Sequence, residues 1–346
     1  MKIYINNLLK EKKQFGVSRV KNELYKRLPK YLSEFDIKWV ESDLPTYGSL
    51  LKNCIRILLT EALSFKKGIF FSAYSEFPFF SRMKKVILIH DINPIKYPDF
   101  RFYSKYFHLI LKRSFEKDVQ IIAVSEFTKN EIINWADSHG MKIFNKIEVV
   151  HNGYDKTIFK MLDEKKNLTK AMFGVENYFL FVGNTEKSSK NFKILIEIWE
   201  NSNLKKNFSL VVVGKINQHY NLPQNHYIKF IGYCSNEELS TLYNNAIALI
   251  HPGINEGFGL TPLEAMACGC PVIVADSGAL PEVVGEAGIL VNPEDKKSVY
   301  DAIWRFGKDT LKRKEYIDKG LKRAQMFDWE KSAEKIAEII RRFMNE

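Results

Sequence analysis

The run His251-Pro-Gly-Ile-Asn-Glu-Gly-Phe-Gly-Leu-Thr-Pro-Leu-Glu264 decides how this chain is read. Gly257 and Gly259 predict a loop that turns into a helix, with Thr261 as its N-cap and Pro262 at the first helical position, where a missing N–H costs nothing. A helix start of this kind attracts anions. The backbone N–H groups around Gly259, Leu260 and Thr261 would point out of it, and the helix dipole adds roughly half a positive charge there. Glu256 precedes that site and Glu264 follows it on the helix, so a phosphate-bearing ligand with hydroxyls on both sides of the phosphate would meet a carboxylate at each end.

Working outward, short apolar runs at residues 246–250 and 271–274 flank the stretch, and similar runs occur at 86–89, 120–124, 147–150, 179–182 and 210–213. Helical segments between them predict an α/β chain of parallel sheets with crossover helices. In such sheets ligands bind beyond the carboxyl ends of strands, which places His90, Ser125, Gly183, Gly214 and Glu256 where a site would be assembled. Residues 1–10 alternate like a first strand. With 346 residues the chain is long enough for two domains, and the polar, mixed-charge residues 155–170 predict the boundary. We expect a Rossmann-like domain over 1–160, a second over 161–327, the two sheets facing each other across a cleft, and a closing helix over 328–346 begun by Phe327-Asp-Trp329-Glu.

Charge is divided unevenly. Residues 1–160 hold 28 Lys and Arg against 17 Asp and Glu, and residues 161–346 hold 24 against 24, so the formal net charge of +11 lies in the first half. A balanced second half suits a small soluble ligand, and a basic first half suits an acidic surface such as anionic lipid. The segment 100–113 mixes aromatics with Arg101, Lys105, Lys112 and Arg113, as interfacial helices do, although a core helix with a solvated basic edge has the same pattern. No nucleic-acid module is recognisable. No apolar run reaches the roughly 18 residues of a membrane span and no signal-peptide core is present, which predicts a cytoplasmic protein, peripheral at most on the inner membrane face. The four cysteines form no Cys-x-x-Cys, and neither Asp-x-Asp nor His-Glu-x-x-His occurs, so no metal site is expected.

The stretch Glu256-x-Gly-Phe-Gly-Leu-x-x-Leu-Glu264-Ala-Met-Ala-x-Gly-x-Pro271-Val, followed by Gly278-x-x-Pro-Glu282-Val, resembles the retaining, GT-B-type nucleotide-sugar glycosyltransferases of glycosyltransferase family 4. Weaker echoes follow in the family's order: Phe15-Gly16-Val17-Ser18-Arg19, His90-Asp91-Ile-Asn-Pro94, Ala123-Val-Ser125-Glu126, His151-Asn152-Gly153-Tyr-Asp155, and Val182-Gly183 to Lys190-Asn191. The resemblance implies a GT-B fold and transfer of a hexose, with retention, from a GDP- or UDP-linked sugar to a glycan or lipid-diphosphate acceptor. Its bacterial surface-polysaccharide branch, where mannosyl transfer is frequent, is the nearest in pattern. It implies that Glu256 orients the donor sugar, that Lys190 neutralises the diphosphate and that His90 faces the sugar. Gly16, Gly183, Gly257, Phe258, Gly259, Leu260, Thr261 and Glu264 become donor-binding candidates, and Tyr233 stands near the base. Arg19, Asp91, Ser125 and Glu126 become acceptor-side candidates. Two departures stand out: Ser189 occupies the position beside Lys190 where the family commonly has a basic residue, leaving Lys187 as the nearest second cation, and the glycine-rich first loop is reduced to Gln14-Phe15-Gly16. No cofactor beyond the nucleotide-sugar co-substrate is implied. The rival readings are a glycoside hydrolase using Glu256 and Glu264 as its paired carboxylates, and a noncatalytic subunit of the same fold.

Overall fold

The computed structural model describes residues 1–8, 16–42, 50–97, 101–162, 168–216 and 227–346; for 50–54, 101, 102, 168 and 171 only the backbone is described. Gln14 and Phe15 of the first loop and the side chain of Arg101 lie outside these residues. The chain divides into two compact units, Met1–Gly153 with Asp328–Glu346, and Tyr154–Phe327. The division falls before residue 160, and residues 158–160 belong to the second unit for a local reason. The Ser240 hydroxyl donates to the Ile158 carbonyl at 2.8 Å and Asn244 Nδ2 to the Lys160 carbonyl at 3.0 Å.

Each unit is built on one six-stranded, all-parallel sheet. In the first, β1 (Lys2–Asn6), β2 (Asp36–Val40), β3 (Ile69–Ser72), β4 (Lys84–Ile89), β5 (Val119–Ala123) and β6 (Glu148–Val149) are ordered β2-β1-β3-β4-β5-β6. In the second, β7 (Tyr178–Val182), β8 (Ser209–Val213), β9 (Ile228–Gly232), β10 (Ala248–His251), β11 (Val272–Ala275) and β12 (Ile289–Val291) are ordered β12-β11-β10-β7-β8-β9. Strands covered on both faces read as continuous apolar runs, and this is why the inner strands were legible: Val86, Ile87, Leu88 and Ile89 are buried without a break, as are Leu210 to Val213. The edge strand β2 is largely exposed along its length, so no such run marks it.

The strand order reverses once in each sheet, between β1 and β3 in the first and between β7 and β10 in the second. Such switch points are where doubly wound sheets leave a crevice at the carboxyl ends of their strands. At the first, Asn6 Nδ2 reaches Ser72 Oγ at 3.4 Å, and the Tyr25 hydroxyl donates to the Asn6 carbonyl at 2.6 Å while accepting from the Ala73 N–H at 3.1 Å. Burial pushes the Tyr25 hydroxyl far above its usual range, so it remains a neutral donor there.

The final helix, Trp329–Asn345, is capped by Asp328, whose carboxylate accepts from the Glu330 N–H at 2.8 Å. Trp329, Ala333, Ile336, Ala337, Ile340 and Phe343 recur at helical spacing and are buried. The helix belongs to the first unit, where Arg341 Nε meets Glu34 at 2.5 Å, the Tyr31 hydroxyl donates to Glu330 at 2.8 Å and Lys84 Nζ donates to the Phe343 carbonyl at 2.8 Å.

Candidate functional site

The second unit's switch point brings Lys190 and Glu256 into contact. β7 and β10 are hydrogen-bonded neighbours, with Leu249 in register with Leu180, and the loops that follow them leave the sheet side by side. The loop after β7 ends in a tight turn over Ser188–Lys190, closed by Asn191 in the left-handed region (φ 50°) and held by the Asn191 Nδ2 bond to the Pro293 carbonyl at 2.7 Å. The loop after β10 is stitched to it, because the Ile254 N–H donates to the Ser189 carbonyl at 2.9 Å. Lys190 Nζ then lies 2.6 Å from Glu256 Oε1. Burial opposes ionisation of Glu256, but the adjacent Lys190 ammonium and the His251 ring outweigh it and hold the carboxyl well below its usual range. The site therefore carries a fixed carboxylate across neutral pH, in contact with Lys190.

Loops from β11 brace Glu256 from behind. The Ser277 hydroxyl donates to the Ile254 carbonyl at 2.5 Å, and the Ala279 N–H donates to the Glu256 carbonyl at 2.9 Å. This gives the Gly278-x-x-Pro-Glu282 segment a mechanical role in holding the loop.

The helix behind Glu256 spans Leu260–Ala267 and starts two residues earlier than expected. Thr261 is not its N-cap. Gly259 occupies that position with φ +110°, a conformation that side chains rarely adopt, and a Cβ there would also lie 2.9 Å from Leu280. Pro262 consequently sits at the third helical position, still within the turn whose N–H groups have no helical acceptor, so its missing N–H again costs nothing. Glu264 is 2% exposed, so its carboxyl group is buried. Phe258 is also buried, its ring edge-on to Phe327 at 5.8 Å, so its side chain is a packing element. Gly183 directly follows β7, and its N–H donates to the Val213 carbonyl at 2.9 Å. Lys187 and Tyr233 are exposed, and the Lys187 carbonyl accepts the Lys190 N–H at 3.0 Å.

The first unit gathers its candidates at the carboxyl ends of β4 and β5. His90 Nε2 lies 2.8 Å from the Ala73 carbonyl, an acceptor only, so Nε2 carries the hydrogen. Burial pushes the imidazole down to about 4, against the opposing pull of that bond, and leaves it neutral at pH 7. Asp91 Oδ1 accepts the Asn93 N–H at 2.8 Å and shapes the turn after the strand. Ser125 is buried and caps the helix Glu126–Ser138, accepting the Thr128 N–H at 3.0 Å, while Glu126 pairs with Lys129 at 2.9 Å. Gly16 begins the helix Val17–Tyr31, which carries Arg19 in its first turn. Sequence reasoning passed over His251, which ends β10 and touches Glu256. The available signal was a histidine closing an apolar strand five residues before the glutamate. Among the described residues no group of three or more His, Cys, Asp or Glu side chains could hold a metal ion.

Two parallel six-stranded sheets with their helices define a GT-B protein, and solved structures share the fold: the Anabaena protein HepE in complex with UDP and glucose superposes with a TM-score of 0.76 at 18% identity over 99% of both chains. Residues 164–323 match the family described as "Glycosyl transferases group 1", and the second unit is accordingly a domain of that family. Among curated proteins, the chain is 34% identical over 233 residues to the O-antigen chain mannosyltransferase RfbU of Salmonella typhimurium, covering 63% of this chain and 60% of that protein's length. It is 27% identical over 260 residues to O-antigen chain mannosyltransferase B of Escherichia coli, covering 71% and 67%.

Proposed function

We propose that the chain is a retaining, metal-independent glycosyltransferase of surface-polysaccharide synthesis, moving a hexose from a GDP- or UDP-linked sugar to a glycan or lipid-linked acceptor. The observation that carries this reading is the Lys190–Glu256 pair at a switch point, beside a helix start suited to phosphate. A hexose-1-diphosphate would place its leaving phosphates on Lys190 and the helix N-terminus and its sugar hydroxyls on Glu256. The names of the Salmonella and Escherichia relatives favour mannose as the sugar. Glu256 orients hydroxyls without forming a covalent bond, and departure and attack occur on the same face of the sugar within one ion pair. Glu264, at 2% exposure, does not present the second open carboxylate that hydrolysis by a carboxylate pair needs. The test is incubation with a panel of GDP- and UDP-sugars, with and without lipid-linked acceptor, following released nucleoside diphosphate. Acceptor-dependent release supports transfer, and equal release of free sugar without acceptor supports a hydrolase.

Lys190→Ala should raise the donor KM and lower kcat together, because a contact to the diphosphate strengthens as the leaving group gains charge. The combined loss in kcat/KM should correspond to roughly 2 to 4 kcal/mol. Unchanged kinetics would assign the phosphate to another cation such as Lys187.

We also place an anionic membrane surface against the first unit. Leu58, Phe65, Phe80 and Leu109 are all exposed there, Phe65 at 94%. One carboxylate ties their segments together: Glu61 accepts from the N–H groups of Phe79 (2.7 Å) and Phe80 (3.4 Å) and from the Ser64 hydroxyl (3.1 Å), and Arg113 Nη2 donates to the Phe79 carbonyl at 2.9 Å. Lys66, Lys67, Arg82, Lys105 and Lys112 are exposed on the same segments. Exposed apolar side chains and cations on the same segments suit an anionic interface. Arg113, already paired with Glu116 at 2.7 Å, serves the fold. No described helix is long and apolar enough to cross a membrane. Changing Lys66, Lys67, Lys105 and Lys112 to Gln should release the protein from anionic vesicles, as should added salt. Equal binding of the unaltered protein to neutral and anionic vesicles would refute an electrostatic contact.

A further inference from the structure

His251 is the last residue of β10, and it is 1% exposed. Its Nε2 lies 3.2 Å from Glu256 Oε1, the same oxygen that Lys190 contacts at 2.6 Å. A carboxylate only accepts, so a contact of this kind requires Nε2 to carry the hydrogen. The approach is off the line of a good hydrogen bond, and both ring nitrogens are buried without an aligned partner. Buried polar atoms are normally satisfied, and an exception calls for a reason. Gly253 leaves room for the contact, since a Cβ there would come within 2.8 Å of Glu256 Oε1 and 3.4 Å of His251 Nε2.

We propose that His251 is a positioning residue that holds the Glu256 carboxylate in place when Lys190 turns to the donor diphosphate. The inference rests on the reading of Lys190 and Glu256 given above. In that step the carboxylate, largely shielded from water, loses the cation nearest to it. An unpaired charge in such a place is costly, and the carboxylate would swing after the lysine or take up a proton. His251 cannot follow Lys190, because it is anchored in a strand hydrogen-bonded on both sides, with His251 in register with Val274 of β11. When Glu256 settles onto the ring, Oε1 takes the Nε2–H, and Oε2, with no protein hydrogen bond among the described residues, is presented to the sugar hydroxyls. Through Glu256, the ring keeps the sugar oriented while the diphosphate draws away its counter-charge.

The experiment compares His251→Gln, His251→Asn and His251→Leu in nucleotide-sugar turnover and in binding of GDP and UDP, which lack the sugar. Gln places an amide N–H where Nε2 stands and should keep turnover within about threefold of the unaltered protein, whereas the shorter Asn and the apolar Leu should lower kcat roughly 10- to 100-fold, with nucleotide affinity changed less than about threefold. In a Glu256→Ala background the Leu substitution should cost nothing further, since its effect passes through the missing carboxylate. Equal turnover of the Gln and Asn variants, which match in polarity and differ in reach, would overturn the proposal even if the Leu variant did not fold. So would a further loss of the same size in the Glu256→Ala background, which would mark His251 as merely structural. Full turnover of Glu256→Ala alone would instead overturn the reading of Glu256.

Discussion

Glu256→Ala is expected to lower the rate of sugar transfer at least about 100-fold while GDP or UDP affinity stays the same or rises. The asymmetry follows from the contact between Glu256 Oε1 and Lys190 Nζ at 2.6 Å. Removing the carboxylate takes away the group that orients the sugar, yet it also removes the counter-charge that competes with phosphate for the lysine. Glu256→Gln keeps the volume and hydrogen-bonding capacity and loses the charge, so its nucleotide affinity should follow that of the Ala variant. Steady-state turnover combined with nucleotide titration checks both halves. Half of the original turnover in the Ala variant would remove Glu256 from the site, and a large fall in nucleotide affinity would mean that it serves the phosphate.

The second large effect concerns stability. Arg56 and Glu76 form a buried two-pronged pair in the first unit, with Nε to Oε2 and Nη2 to Oε1 both at 2.5 Å, and side-chain exposures of 5% and 2%. Glu76→Ala removes the carboxylate from a buried two-pronged pair, and the first unit should lose about 3 to 5 kcal/mol. Arg56→Leu combined with Glu76→Leu should cost less than that single change, because both charges are then removed together. Two units need not unfold together, so the measurement is hydrogen exchange resolved to β3 and β4. Exchange there should quicken by a factor matching the loss, while β7 and β8 are unaffected. A change below about 1 kcal/mol in β3 and β4 would show that water reaches the pair.

The run from His251 to Glu264 was legible because its chemistry is local: Glu256, Gly257, Gly259, Thr261, Pro262 and Glu264 lie within one turn and one helix. Locality also set the limit of that reading, since the N-cap is Gly259, where a Cβ would meet Leu280, twenty-one residues onward. Apolar runs marked β4, β5, β7, β8, β10 and β11, but the edge strands β2 and β9 and the short β3 and β12 carried no such signal. At three residues β12 is too short to show a period, and the edge strands β2 and β9 are only partly covered.

By itself, then, the sequence determined the class of fold, the anion-suited helix start, the glutamate beside it and the basic character of the first half. These depend on periodicity, composition and close spacing along the chain. Tertiary structure alone decided that Lys190 meets Glu256 across 66 residues, that Arg56 meets Glu76, and that His251 stands behind the glutamate. The reason is physical. A parallel sheet orders its strands β12-β11-β10-β7-β8-β9, so the partners at its switch point are chosen by which strands pair. Pairing depends on burial over the whole unit, and no local stretch of residues records it.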